Sequence, residues 1–210
     1  MKEDFLIEFF LVETRKDLED SKVEVILSPD SHVLYPTDDL LCNGYFITEP
    51  LTFAVGTGKE LDLWLPIYAH EYCHFRQWKE EEPVFRHGFI DGVETFDMAV
   101  EVIEGKREAT PEEFWNWIRR AQSLEADCER RAQTLIETWE LPIDSAEYAQ
   151  KANSYLHFYT HIANKKKWYI AGKEPYNIPE VWKEFNTSID TQFETDPEYS
   201  KLFEMHCEVL

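Results

Sequence analysis

Hydrophobic and polar positions change period along this chain. Residues 5–13 (FLIEFFLVE) and 23–28 (VEVILS) are β-branched and aromatic runs of strand length. Asn43-Gly44 lies between Leu40-Leu41-Cys42 and Tyr45-Phe46-Ile47, which predicts a hairpin turn. Thr52 to Val55 predicts a further strand, stopped by Gly56 and Gly58. From residue 62 the period becomes helical. A helix is expected over 62–79, with Pro66 in its first turn, ended by Glu80-Glu81-Glu82-Pro83. Residues 83–92 read as a loop, and 94–104 as a helix stopped by Gly105.

The strongest helix signal opens at Thr110, with Pro111 at the first helical position and Glu113 completing a capping box, and runs to about Trp139. Asp144 and Glu147 open a helix to about Lys166, and shorter helical patterns follow near 180–187 and 197–207. Strands first and helices after predict an α+β fold: a small, largely antiparallel N-terminal sheet, an active-site helix and a mainly helical C-terminal part. Its length suits one domain over 1–210, with a sheet region at 1–60, metal-site helices at 61–140 and helices at 141–210.

Charge narrows the partners. The chain has 42 acidic and 21 basic residues, a net charge of −21, and 23 of the acids precede residue 106. Phosphate needs a basic footprint, so neither nucleic acid nor an anionic membrane is expected as a partner. No run of about 18 apolar residues predicts a membrane span. Glu3, Asp4 and Glu8 interrupt the N-terminal apolar run, unlike a secretory signal. Cys42, Cys73, Cys128 and Cys207 are scattered without a CxxC pair, which suits reduced thiols in the cytoplasm. Lys165-Lys166-Lys167 sits at a predicted helix C-terminus, where it complements the helix dipole.

The candidate chemistry is His70-Glu71-Tyr72-Cys73-His74, an HExxH sequence. On a helix, His70 and His74 project from one face and both imidazoles reach one metal ion. Glu71 is turned about 100° from His70, beside the metal rather than on it, where it can deprotonate a metal-bound water. This composition yields only ~0.03 chance matches to the pattern. A third His six residues on, with a Gly between, would define another subclass, but those positions hold Glu80 and Gln77.

A third ligand is therefore sought among the carboxylates. Glu94 shares its face of the 94–104 helix with Asp97, Met98 and Glu101, so it reads as solvated. Glu125 instead interrupts an apolar stripe of Phe114, Ile118, Ala121, Cys128, Ala132, Ile136 and Trp139. A carboxylate there is costly unless paired or metal-bound, which makes Glu125 the leading candidate. Glu129, four residues on, suits a carboxylate holding a ligand imidazole by its free N–H. A swap of these two roles, another carboxylate, or Cys128 remain open.

HExxH followed by a helical Glu-x-x-x-Glu resembles the gluzincin metallopeptidases, whose thermolysin-like members use a zinc-binding Glu and an acidic residue four positions later; the matching residues are Glu125 and Glu129. Leu124-Glu125-Ala126-Asp127 also resembles the Glu-Ala-Asp/Asn signature of ImmA/IrrE-type peptidases, small proteins common in phages and bacteria. The two segments together are similar to uncharacterised phage-type metallopeptidases. The resemblance covers about a dozen residues and implies a zincin-like fold and one Zn²⁺ per chain.

Further groups complete the expectation. Tyr155 and Tyr159, with Tyr148 on the same stripe, are candidates to donate to an oxyanion. His157 and His161 form an i,i+4 pair able to hold a metal, but lack an obvious third ligand and read as surface or packing residues. His32, His87 and His206 read as surface residues. Thr52 to Val55 is the candidate edge strand for adding an extended substrate, and Glu80 to Glu82 reads as a solvated, mobile turn. The chain is thus expected to be a zinc-dependent hydrolase, a peptidase in which a zinc-bound water activated by Glu71 attacks a protein or peptide substrate. Its acidity favours basic substrates. The alternative is a non-catalytic zinc-binding or acidic interaction protein with a basic partner.

Overall fold

The computed structural model describes residues 2–36 and 40–207, with side chains from Phe5 onward. It is a mixed α+β fold, with small sheets toward the N-terminus and a mostly helical remainder. The chain divides into two compact units, residues 1–80 with 131–143, and residues 81–130 with 144–210. Among the described residues, no helix is long and apolar enough to cross a membrane.

The first unit opens with helix α1 (Lys2–Asp20), not with the strand expected over 5–13. Aromatic and β-branched content suggested a strand, but burial follows a helical period: Phe10, Thr14 and Leu18 are buried at i, i+4 and i+8. The ion pairs Arg15–Glu19 (2.8 Å) and Lys16–Asp20 (3.3 Å) add the same spacing on the exposed side.

Strands β1 (Glu24–Ser28), β2 (Val33–Leu34), β3 (Leu41–Cys42), β4 (Gly44–Thr48) and β5 (Leu51–Gly56) follow. One sheet has the order β1-β5-β4, with β1 parallel and β4 antiparallel to β5. The strand at 52–55 is therefore central, paired on both sides, and cannot be the edge expected for a substrate; β1 and β4 are the edges. Asn43-Gly44 is not a hairpin turn either. Cys42 pairs with Val33 in the β2–β3 sheet and Gly44 with Val55 in the other, so the chain passes through Asn43 from one sheet to the next. The β4–β5 hairpin turns instead at Glu49-Pro50.

Helix α2 (Leu61–Lys79) packs on β4 and β5. It begins one turn before Pro66, so Pro66 lies inside the helix rather than in its first turn. Its buried face carries Leu65, Tyr68, Ala69, Tyr72, Cys73 and Phe75. Tyr68 joins α1, the sheet and α2: its ring meets Phe10 at 5.8 Å and Phe53 at 5.0 Å, and its hydroxyl lies 2.9 Å from Thr14 Oγ1. Trp139 closes this core against Phe10 at 5.4 Å.

In the second unit, residues 83–92 are more regular than the expected loop. They form a short helix α3 (Pro83–His87) and a two-stranded hairpin, β6 (Phe89–Ile90) with β7 (Val93–Glu94), turned at Asp91-Gly92 where both residues have positive φ. Helix α4 is Thr95–Ile103. Helix α5 (Pro111–Thr138) starts as expected: Thr110 Oγ1 accepts from Glu113 N at 3.2 Å, while Glu113 Oε2 accepts from Thr110 N at 2.8 Å. Helix α6 (Ser145–Lys165) is capped by the Asp144 carboxylate and ends at Lys166 in the left-handed region. A 3-10 turn (Pro175–Asn177), α7 (Pro179–Trp182) and α8 (Pro197–His206) complete the unit. Its main core joins Met98, Phe114, Trp117, Ile118, Phe158 and Phe203.

Candidate metal centre

In the first unit the HExxH sequence lies in mid-helix, as its spacing requires. His70, Glu71 and His74 are half-buried, opposite a face sealed by Tyr68, Tyr72 and Phe75. The Nε2 atoms of His70 and His74 are 3.1 Å apart, with the rings nearly perpendicular. Two nitrogens bound tetrahedrally at the usual Zn–N length stand about 3.3 Å apart, so this pair has the geometry of two ligands sharing one ion.

One partner of His74 was not anticipated. Gln77, fully buried, places its Oε1 2.9 Å from His74 Nδ1. An amide oxygen only accepts, so Nδ1 carries the hydrogen and Nε2 presents its lone pair, the tautomer a metal requires. The i+3 spacing of Gln77 from His74 is the sequence signal for this contact.

Glu71 lies against the edge strand β4. A Cβ at position 44 would come within 2.9 Å of Ile67 Cγ2, 3.0 Å of the Ala54 carbonyl oxygen and 3.3 Å of Glu71 Cγ. Gly44 is thus needed for close approach of strand and helix, not for a turn.

Charged anchors hold α2 in place. The Tyr72 hydroxyl donates to Asp17 Oδ2 at 2.7 Å, and Lys79 binds the other oxygen of the same carboxylate. Burial alone would raise the Asp17 carboxyl, but the bonds from Lys79 and Tyr72 hold it below the ordinary range. Glu80 is held by Arg76 and by Arg131 at 2.8 Å, which lower its carboxyl against the opposing effect of burial. The expected solvated, mobile turn therefore begins with a carboxylate pinned by two guanidinium groups.

In the second unit the apolar stripe of α5 is as expected. Phe114, Ile118, Ala121, Cys128, Ala132 and Ile136 are buried, the last two on the end of α5 that belongs to the first unit. Glu125 interrupts the stripe and is half-buried. Tyr155 and Tyr159 are brought to it, with ring centroids 5.2 Å apart. Burial is the main force raising both phenols well above their ordinary value, and the negative charge of Glu125 adds to it in each. Both therefore stay protonated and able to donate. Glu129 accepts from the Tyr148 hydroxyl.

Glu94 is not on a solvated side. It is half-buried, pairs with Phe89 in the hairpin and precedes α4, and its charge also raises Tyr159. The buried face of α4 differs from the expected one: Met98, expected on the polar side, is buried with Thr95 and Ala99.

His157 and His161 go to separate partners, Asp190 Oδ2 at 2.9 Å and Ser200 Oγ at 3.0 Å. Both are buried rather than on the surface, and among the described residues they join no group of three potential metal ligands. His32 and His87 are exposed and His206 half-buried. Lys165 pairs with Glu204 at 2.6 Å, and Lys166 caps α6. Comparisons with protein-family models, with curated proteins and with solved structures found no match.

Proposed function

We propose that this protein is a zinc-dependent hydrolase of the gluzincin type, acting on peptide bonds. The observation that carries the reading is the His70–His74 pair, with Nε2 atoms 3.1 Å apart and the His74 tautomer fixed by buried Gln77. His70 and His74 would hold one Zn²⁺ with Glu125 as third ligand, and Glu129 would act as an outer carboxylate. Zinc, when bound, supplies a Lewis acid that lowers the pKa of a water and polarises the scissile carbonyl. Glu71 takes the proton from the attacking water and delivers it to the leaving amine. Tyr155 or Tyr159 donates to the developing oxyanion. β4, an edge strand among the described residues and beside Glu71, would offer backbone groups to an extended peptide. The net charge of −21 favours basic peptides, and four cysteines that form no disulfide suit the cytoplasm.

The test is metal content and peptide cleavage of purified protein. Wild type is expected to hold one zinc per chain, and His70→Ala or Glu125→Ala to lose it. Glu71→Gln should keep the metal and lose hydrolysis. Full metal retention in His70→Ala refutes the centre. Turnover unchanged in Glu71→Gln removes Glu71 as the base.

A further inference from the structure

The first residues of edge strand β4 lie beside Glu71, and a lysine that the proposed hydrolysis leaves unused stands next to them. β4 pairs with β5 so that Gly44 faces Val55, and Asn43 O accepts from Gly56 N at 2.9 Å just before the strand begins. In an antiparallel ladder, residues that bond the neighbouring strand alternate with residues that do not. Asn43 and Tyr45 therefore bond β5, while Gly44 and Phe46 turn their N–H and C=O groups to the other side. That side is unpaired among the described residues. The ladder stops at Gly44, because the chain leaves through Asn43 for the β2–β3 sheet.

Lys59 stands at this end. Its ammonium donates to the Asn43 side-chain oxygen. The loop that carries it is fixed: the N–H groups of Gly56, Thr57 and Gly58 donate to the carbonyls of Asn43, Ser28 and Asp30 at 2.9, 2.8 and 2.9 Å. Lys59 is half-buried in a chain of net charge −21, yet among the described residues it has no carboxylate partner. Lys16 and Lys79, in the same unit, hold Asp20 and Asp17. Burial lowers the Lys59 ammonium from its ordinary value, with no carboxylate raising it in return. An ammonium has three donors and Asn43 takes one, so this cation is suited to an anion.

The direction of a bound peptide decides where that anion comes from. Antiparallel pairing is the more stable per residue. A peptide laid antiparallel on Gly44 and Phe46 runs toward Asn43, so its C-terminal end meets Lys59. Beyond Gly44 it finds no further β4 backbone to pair with, which suits a chain that ends there. A basic peptide meets the requirement too, since every unblocked peptide carries one terminal carboxylate.

We propose that Lys59 binds a carboxylate at the C-terminal end of a peptide lying along β4, and so selects for bonds close to that end. The carboxylate is the chain terminus or an acidic side chain there. This rests on the proposed use of β4 as the substrate edge. The test titrates the isotope-labelled full chain, as Glu71→Gln so that nothing is cleaved, with N-acetyl-trialanine. NMR follows the Gly44 and Phe46 amides and Lys59 Nζ. The C-terminal amide of the same peptide, which lacks only the charge, is the control.

Saturable shifts are expected, with the free acid binding about tenfold or more tighter than the amide, the scale of a charge-assisted hydrogen bond. Lys59→Met keeps the stem and loses the charge, so it should abolish that preference, and Lys59→Arg should restore it. N-acetyl-Ala-Ala-Asp amide carries its carboxylate on the side chain: tighter binding than the free acid identifies an acidic side chain, and weaker binding identifies the terminus. No saturable shift, equal affinity for acid and amide, or a preference that survives Lys59→Met overturns the proposal. Acid-selective binding by a wild type that cleaves no peptide would refute the proposed hydrolysis and leave this site standing; cleavage without acid selectivity would do the reverse.

Discussion

Replacing Gln77 by Leu tests the proposed metal centre at a residue outside the HExxH sequence. Gln77 is fully buried and accepts from His74 Nδ1–H at 2.9 Å. Leu has similar volume and no acceptor. The substitution leaves a donor unpaired at the base of the imidazole, which costs about 1–3 kcal/mol in the metal-free protein. It also frees His74 to place its hydrogen on Nε2, where it blocks a metal. Loss of such an outer partner typically lowers metal affinity by about 10–100-fold, or roughly 1.4–2.7 kcal/mol. Affinity is read by competition with a chromophoric zinc chelator, and the tautomer by the ring nitrogen shifts of His74. Gln77→Glu restores an acceptor and should recover most of the affinity. Wild-type zinc affinity in Gln77→Leu, with the His74 tautomer unchanged, would refute the reasoning.

Three further outcomes are expected. Gly44→Ala forces a methyl to within 3.0 Å of the Ala54 carbonyl oxygen and against Ile67 and Glu71, so it should lower both the melting temperature and any hydrolysis while zinc content stays at wild-type level; zinc loss equal to the activity loss would contradict this. Thr110→Ala removes the capping box of α5 and should cost about 0.5–2 kcal/mol in denaturant unfolding, with Thr110→Ser recovering most of it. Stability should fall as pH drops below 6.5 toward about 4, because the unfolded chain protonates His161 before the folded one does. Asp17 and Glu80, whose carboxyls are lowered in the fold, lose their contribution at still lower pH, as their folded forms protonate. Denaturant midpoints at pH 7 and pH 5 should differ less in His161→Gln than in wild type, and an equal drop in both would remove His161 as the cause.

Much of this was legible along the chain because the signals were local. The HExxH spacing puts His70 and His74 on one helical face whatever surrounds them. The Thr110–Glu113 box and the α5 stripe depend only on hydrogen bonds and burial within one helix. Glu125 stood out because a carboxylate in an apolar stripe needs a reason. Where two local signals competed, composition misled: FLIEFFLVE has strand-like residues, but the i,i+4 burial of Phe10, Thr14 and Leu18 makes it helix.

Other features belonged to the tertiary structure, because they depend on which distant segments pair. Pairing of β5 with both β1 and β4 makes 52–55 central and moves the open edge to β4. Asn43-Gly44 has the composition of a turn, yet crowding by Ile67 and Glu71 is what demands glycine there. Glu94 reads as solvated from helix period alone, until the hairpin before α4 half-buries it. Gln77 is an ordinary polar residue until burial leaves the His74 imidazole as its partner. Sequence by itself determined which side chains could do chemistry; packing decided their tautomers, protonation and neighbours, since burial and long-range pairing set those free energies.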